Sequence, residues 1–184
     1  AMVASQKLNK GKVLFMAPTK PLVEQHLKEF DGLLNVDNED MQIMTGDTRP
    51  DKRYKLWREK KVFFGTPQVV ENDIIAGEVP LEDFSLTIFD EAHRATGEYS
   101  YVFISEKMKN QKLALTASPG GDKEKIMEVA NNLDIDNFEV RTEDDPDVEP
   151  YIQDKEVEWK YVSLDDRFET AKNHLEDAKR EQLK

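Results

Sequence analysis

Asp90 and Glu91 stand side by side directly after an apolar run, Leu86 to Phe89, within LTIFDEAHRATG. Two adjacent carboxylates at the end of a hydrophobic strand are costly unless something there uses them. Phosphoryl transfer is one such use. A strand-end Asp holds Mg²⁺ against nucleotide phosphates, and a following Glu orients and deprotonates the attacking water. His93 would then stand close enough to bridge nucleotide and a neighbouring segment. Taken alone, the tetrapeptide also fits a helix N-terminus, where acidic residues favour the helix dipole. Its place after an apolar strand, with Thr116-Ala117-Ser118 closing the next one, favours phosphoryl transfer.

Four further segments share this position after apolar runs: APTK (17–20), TG (45–46), TPQ (66–68) and TASPG (116–120). In open α/β sheets, function gathers at the carboxyl ends of the strands. Hydroxyls and an ammonium group there, with backbone N–H groups at helix starts, suit the phosphate oxygens of a nucleic-acid strand. Thr19, Lys20, Gly46, Thr66 and Gln68 are the candidates. Each is an ordinary turn residue when judged singly. The reading rests on their order and common edge.

The elements that must position these residues are legible as alternating short apolar runs and helical patterns. Strands are expected at 12–17, 41–46, 61–67, 86–90, 112–118, 137–142 and 156–164. Helices are expected at 21–34, 50–60, 68–76, 99–110, 122–133 and from 166 onwards. Thr48 and Asp51 suggest a capped start to the second of these, and Ser163 and Asp166 resemble a capping box. Repeated βαβ units imply a mostly parallel sheet with helices on both faces. Several strands are uniformly apolar, as expected when both faces are covered. Residues 143–155 carry Pro146 and Pro150 and read as a linker.

Composition narrows the classes. The 184 residues suffice for one domain with a sizeable core, with room for the start of a second. No cysteine is present, which excludes disulfides and thiolate metal sites and suggests a reducing, intracellular compartment. No apolar run approaches the roughly 18 residues of a membrane span, so no membrane partner is expected. A net charge of −12 argues at first against nucleic acid. The charge is segregated, however. Residues 49–61 hold seven basic and two acidic residues, and residues 139–158 hold nine acidic and two basic. The basic run reads either as a solvated helix face or as a site of local positive potential. His26 and His174 read as surface or partly buried helix residues, since neither has a second ligand at metal-binding spacing. Trp57 and Trp159 read as packing residues.

Taken together, APTKPLVEQH, TG, TPQ, DEAH and TAS resemble the motif set of superfamily 2 helicases and translocases. FDEAHRATGEYSYVFI, TPQVVENDIIAGEV, LALTASPG and EVRTEDDPDVEPY are similar to the archaeal Hef and Fanconi anaemia M protein family. The resemblance spans about residues 1 to 163. It implies a RecA-like motor domain of an ATP- and Mg²⁺-dependent motor acting on forked or branched DNA. By position it implies that Asp90 coordinates Mg²⁺ and Glu91 is the catalytic base. His93, Thr116 and Ser118 would couple the nucleotide site to DNA, and Thr19, Lys20, Gly46, Thr66 and Gln68 would touch the strand. Arg94 follows the family pattern but equally suits a surface pairing role.

One part is missing from the pattern. A phosphate cradle of the form G-x-x-x-x-G-K-[ST] does not occur. The sole Gly-Lys pair, Gly11-Lys12, is followed by Val13, and Gln6 stands where the first Gly belongs. The expectation is therefore residues 1–163 as a first motor domain lacking its P-loop and cut at its N-terminus. Residues 164–184 are expected to start a helical insertion, with a second motor domain elsewhere in the parent protein. As it stands the chain is expected to be inactive in ATP hydrolysis. The alternatives are an RNA helicase of the same superfamily and a non-catalytic nucleic-acid-binding scaffold. The expected location is cytoplasmic in an archaeon and nuclear in a eukaryote.

Overall fold

The structure is a computed structural model and describes residues 1–34, 36–120, 122–141, 145–146, 158–162 and 165–182. The described residues divide into two compact units, Ala1–Phe138 and Glu139–Lys184.

The first unit is built on five strands: β1 (Lys12–Met16), β2 (Met41–Met44), β3 (Val62–Gly65), β4 (Phe84–Phe89) and β5 (Gln111–Ala114). They form one sheet of order β2-β3-β1-β4-β5, and every pairing is parallel. The helices between them are α2 (Lys20–Phe30), α3 (Pro50–Glu59), α4 (Pro67–Ile75) and α5 (Ser100–Lys107), with α1 (Met2–Lys7) before β1 and α6 (Lys123–Leu133) after β5. This is a RecA-like arrangement with helices on both faces.

The strand order fixes the faces. The connection from β1 to β2 runs one way along the sheet, and those from β2 to β3, β3 to β4 and β4 to β5 run the other way. Parallel crossovers are right-handed, so α2 must lie opposite to α3, α4 and α5. The cores agree. Val13, Phe15, Val62, Phe64, Leu86 and Ile88 meet Val23 and Phe30 of α2 on one face. Leu14, Met16, Phe63 and Phe89 meet Trp57, Val70, Tyr101, Ile104 and Leu133 on the other. Successive residues of β1 therefore serve opposite cores, as the pleat requires. All of β1 beyond Lys12 is buried, and its uniform apolarity follows from that position at the centre of the sheet.

One irregularity breaks the alternation. The register between β1 and β4 shifts at Lys12/Val13. Phe84 consequently joins the α3–α5 core, although Leu86, two residues on, faces α2. Gly11 lies against this shift. A Cβ there would overlap the carbonyl oxygen of Asp83 and reach the Ser85 N and Cβ at 3.2 Å. These are mostly backbone atoms and cannot swing aside. Gly11→Ala is expected to destabilise the domain by about 1–3 kcal/mol, the usual range for overpacking. Chemical denaturation checks it, and an unchanged midpoint would show that the shift relaxes freely.

The basic run 49–61 is a solvated helix face with one member turned inward. Lys52, Lys55 and Arg58 of α3 are exposed. Arg53 is buried instead. Its Nε and Nη2 donate to the two carboxylate oxygens of Asp73 on α4 at 2.8 and 2.6 Å, and Nη1 donates to the Thr48 carbonyl at 2.5 Å. The Trp57 indole N–H donates to Asp73 at 2.9 Å. Trp57 is a packing residue, as expected.

Several local expectations are corrected. Thr48 does not cap α3: Arg49 holds the N-cap position without a side-chain bond, and the Thr48 carbonyl is engaged by Arg53. Residues 137–141 form no strand, and residue 142 lies outside the described residues. Residues 158–162 form no strand either, and 156, 157, 163 and 164 lie outside the described residues. Apolar alternation alone makes no strand without a ladder partner, and Phe138, Val140, Trp159, Tyr161 and Val162 are all exposed. In the second unit, α7 (Asp166–Gln182) is present, and the Asp165 carboxylate accepts from the Arg167 N–H at its start. Among the described residues no helix is long and apolar enough to cross a membrane.

Candidate ATP and nucleic-acid site

The carboxyl ends of β1 and β4 lie side by side where the chain leaves the sheet in opposite directions. This is the switch point at which open α/β sheets bind ligands. The backbone locks the two ends together: the Asp90 N–H donates to the Met16 carbonyl at 2.9 Å. The Tyr101 hydroxyl, from α5, lies 2.8 Å from the Asp90 carbonyl and 3.3 Å from that of Met16. Burial pushes the Tyr101 phenol far above its ordinary pKa, so it remains a neutral donor.

The Asp90 side chain is 18% exposed and is held from the opposite side. His26 Nε2, on α2, lies 2.9 Å from Asp90 Oδ2. Glu91 follows in a left-handed backbone conformation, φ 51° and ψ 47°, which non-glycine residues seldom adopt. The strain is of order 1 kcal/mol or more and is typical of functional sites. The turn carries the chain straight into a short 3-10 helix, Ala92–Arg94.

His93 sits in that helix. Its Nδ1 is 2.9 Å from the Thr116 hydroxyl and 3.3 Å from Glu91 Oε2. Backbone bonds hold the same junction: the Leu115 N–H donates to Phe89, and the Ala92 N–H to Leu115, both at 2.9 Å. Thr116 Oγ1 also accepts from the Ser118 N–H at 3.1 Å. Glu91, His93, Thr116 and Ser118 are thus linked through these contacts, although they come from two strand ends, and Asp90 adjoins them as the residue before Glu91. The Ser118 side chain is exposed.

The nucleic-acid candidates lie on the same sheet edge. Thr19 is the N-cap residue of α2 and Thr66 that of α4, each with Pro in the first turn and neither with a side-chain cap bond. Gln68, in the first turn of α4, is exposed. Lys20 pairs with Asp47, the residue after Gly46, and lies 3.6 Å from Glu24. That pair joins the APTK and TG segments and raises the Lys20 pKa above its ordinary value, chiefly through the Asp47 bond. A Cβ on Gly46 would meet nothing within 4 Å, so packing within the chain does not demand glycine there. Arg94 is exposed.

Two residues of this site escape the sequence reading. His26 reads as a surface or partly buried helix residue with no role at the site, and Tyr101 is not singled out. His26 meets Asp90 because β1 and β4 are neighbours in the sheet, whereas Tyr101 reaches it from the helix that follows β4.

The chemistry of the donor set suits Mg²⁺. The ion accepts one or two carboxylates and fills its remaining positions with water and phosphate oxygens. Asp90 offers Oδ1 for such a role, since Oδ2 faces His26. Among the described residues no cluster of three or more ligating side chains forms a protein-only cage. Nucleotide fits as the partner of such a site.

The family model of DEAD/DEAH box helicases matches residues 1–126. The chain belongs to the DEAD/DEAH box helicase family. Within it, the chain is 46% identical over 176 residues to a Methanocaldococcus jannaschii protein named, provisionally, as an ATP-dependent RNA helicase. That match covers 95% of this chain and 23% of the relative. The chain is 37% identical over 175 residues to the DEAD-box ATP-dependent DNA helicase Fancm of Drosophila melanogaster, covering 90% of this chain and 12% of that one. The crystal structure of the Pyrococcus furiosus Hef helicase domain superposes with a TM-score of 0.78 at 49% identity, over 89% of this chain and 36% of that chain. The likeness to the Hef and Fanconi anaemia M proteins is therefore shown, to Hef in sequence and fold and to Fancm in sequence. The chain spans less than a quarter of either curated relative.

Proposed function

We propose that this helicase-family domain belongs to an ATP-driven DNA helicase or translocase that works on forked or branched DNA. The observation that carries the reading is the contact series Glu91–His93–Thr116, with Asp90 directly before Glu91 at the switch point, on the same edge as Thr19, Lys20, Gly46, Thr66 and Gln68.

Asp90 would hold Mg²⁺, which when bound would neutralise charge on phosphate oxygens. Glu91 accepts the proton of the attacking water. A general base in this role contributes about 10²- to 10⁴-fold. His93 ties Glu91 to Thr116, so a change at the end of β5 reaches the base through one imidazole. Thr19, Thr66 and Gln68 stand at helix N-termini, whose free N–H groups favour phosphate. Lys20 reaches the strand only by exchanging Asp47 for a phosphate. The bound strand then breaks the tie between APTK and TG.

Residues 1–163 act as part of the first motor domain, and residues from 164 begin a helical insertion ahead of the second. ATP turnover requires a phosphate cradle and an arginine finger from elsewhere in the parent protein, so this chain alone does not turn over ATP. The net charge of −12 makes DNA binding by the chain alone weak and strongly salt-dependent.

The name of the Methanocaldococcus relative supports a second reading, an RNA helicase. Measuring ATP turnover of the full-length protein with forked DNA and with duplex RNA separates the two. Forked DNA is expected to stimulate at least about tenfold more. The reverse order would favour the RNA reading.

A further inference from the structure

Asp90 is gripped at its carboxylate by a side chain to which the sequence assigns no role, the last residue of the APTKPLVEQH segment. His26 reaches it from α2, seven residues after Thr19 and six after Lys20. The contact is built rather than incidental. The imidazole is fixed on one side by Phe15, with ring centroids 4.5 Å apart and planes tilted by 44°. Its other nitrogen, Nδ1, lies 3.1 Å from Glu29 Oε2. Glu29 is in turn held by the Gln25 amide, which donates to its Oε1 at 2.7 Å. That bond, with the neighbouring imidazole, keeps the Glu29 carboxyl below its ordinary pKa. The side chain of His26 is 19% exposed, and that of Asp90 18%.

The series Gln25–Glu29–His26–Asp90 therefore leads from the surface of α2 to the metal-binding carboxylate. A carboxylate only accepts hydrogen bonds, so Nε2 is the donor in any bond to Oδ2, and a simultaneous bond from Nδ1 to Glu29 requires both ring nitrogens to carry protons. With Oδ2 engaged, Oδ1 is the oxygen left to face a metal. We infer that His26 is a positioning residue of the ATP site: it fixes the rotamer of Asp90 and hence which oxygen meets Mg²⁺. It also ties that carboxylate to the helix whose first turn faces nucleic acid. The inference rests on the ATP-site reading above. Groups that orient a metal's ligands are typically worth about 10- to 100-fold in metal affinity or activity.

Two variants separate the hydrogen bond from the packing. His26→Leu keeps the apolar contact with Phe15 and removes the donor. His26→Gln keeps an N–H at a similar reach without an imidazole. Both are made in the full-length protein, with Asp90→Asn as control, and ATP turnover is followed with saturating forked DNA. His26→Leu is expected to lose at least about tenfold in kcat, with KM for ATP changed less than about threefold. His26→Gln is expected to stay within about threefold of wild type in both. A kcat for His26→Leu within twofold of wild type, beside an inactive Asp90→Asn, overturns this inference and leaves the ATP site standing. A Gln variant as impaired as the Leu variant also overturns it. Undiminished turnover in Asp90→Asn overturns the ATP-site reading itself, and this inference with it. Thermal melting accompanies each variant; should His26→Leu melt early, the Gln variant decides alone.

Discussion

Glu91→Gln is expected to lower ATP turnover of the full-length protein by about 10²- to 10⁴-fold, the range for removing a general base. That corresponds to about 3–5.5 kcal/mol of transition-state stabilisation. The amide keeps the size and shape of the side chain but takes no proton. KM for ATP is expected to move by less than about threefold, since the water-activating group acts in the transition state rather than in nucleotide binding. The backbone supplies a sharper form of the same test. Glu91 sits at φ 51°, and glycine adopts that conformation without steric cost. Glu91→Gly is therefore expected to lose as much turnover as Glu91→Gln while melting no lower than wild type. A structural residue would show the opposite pattern, with stability falling and turnover following it. Steady-state kinetics and thermal melting, made on the same three proteins, give both readouts.

Asp73→Ala is expected to be the most destabilising single polar change in the domain. Asp73 is 1% exposed and Arg53 7% at their side chains. Removing the carboxylate leaves a buried guanidinium with two donors unanswered and the Trp57 indole N–H without its acceptor. Breaking a buried pair from one side costs about 3–5 kcal/mol. For a chain of this size, roughly 2–4 °C of melting temperature is lost per kcal/mol, so the fall is about 6–20 °C. Glu78→Ala breaks another ion pair of the same helix, Arg58 with Glu78, whose side chains are 59% and 30% exposed. That change is expected to cost no more than about 1 kcal/mol. Replacing both buried partners, Arg53→Met with Asp73→Leu, is expected to recover most of the loss. The remainder, about 1–3 kcal/mol, belongs to the indole N–H left unpaired. Calorimetry of the three variants checks the order. Equal losses for Asp73→Ala and Glu78→Ala would contradict it.

The same contrast shows what can be read from a sequence and what cannot. Strand-end segments and apolar runs are local, and DEAH and TAS were legible because each follows its own strand. β1 to β5 all fall within the expected runs or within a few residues of them. Pairings over long separations leave no such trace. His26 and Asp90 are 64 residues apart, and their contact follows from β1 and β4 being neighbours with α2 folded over one face. Tyr101 reaches the Met16 carbonyl from the other face, 85 residues away, for the same reason. A clue to His26 was present: a polar ring one helical stretch after APTK, on the helix whose other inward residues are apolar. Arg53 shows a different gap. A basic run gives total charge but not which member turns inward, and the partner that selects Arg53 lies on the next helix. The strands expected at 137–142 and 156–164 failed where described because alternation supplies a face and not a neighbour.

The central claim is that Asp90, Glu91, His93 and Thr116 form the metal and water side of an ATP site whose phosphate cradle lies elsewhere in the protein. ATP and forked DNA offered to the 184-residue chain, to the full-length protein and to its Asp90→Asn variant test it most directly. Turnover is expected from the full-length protein alone. Turnover above background by the 184-residue chain, or undiminished turnover by Asp90→Asn, would contradict it.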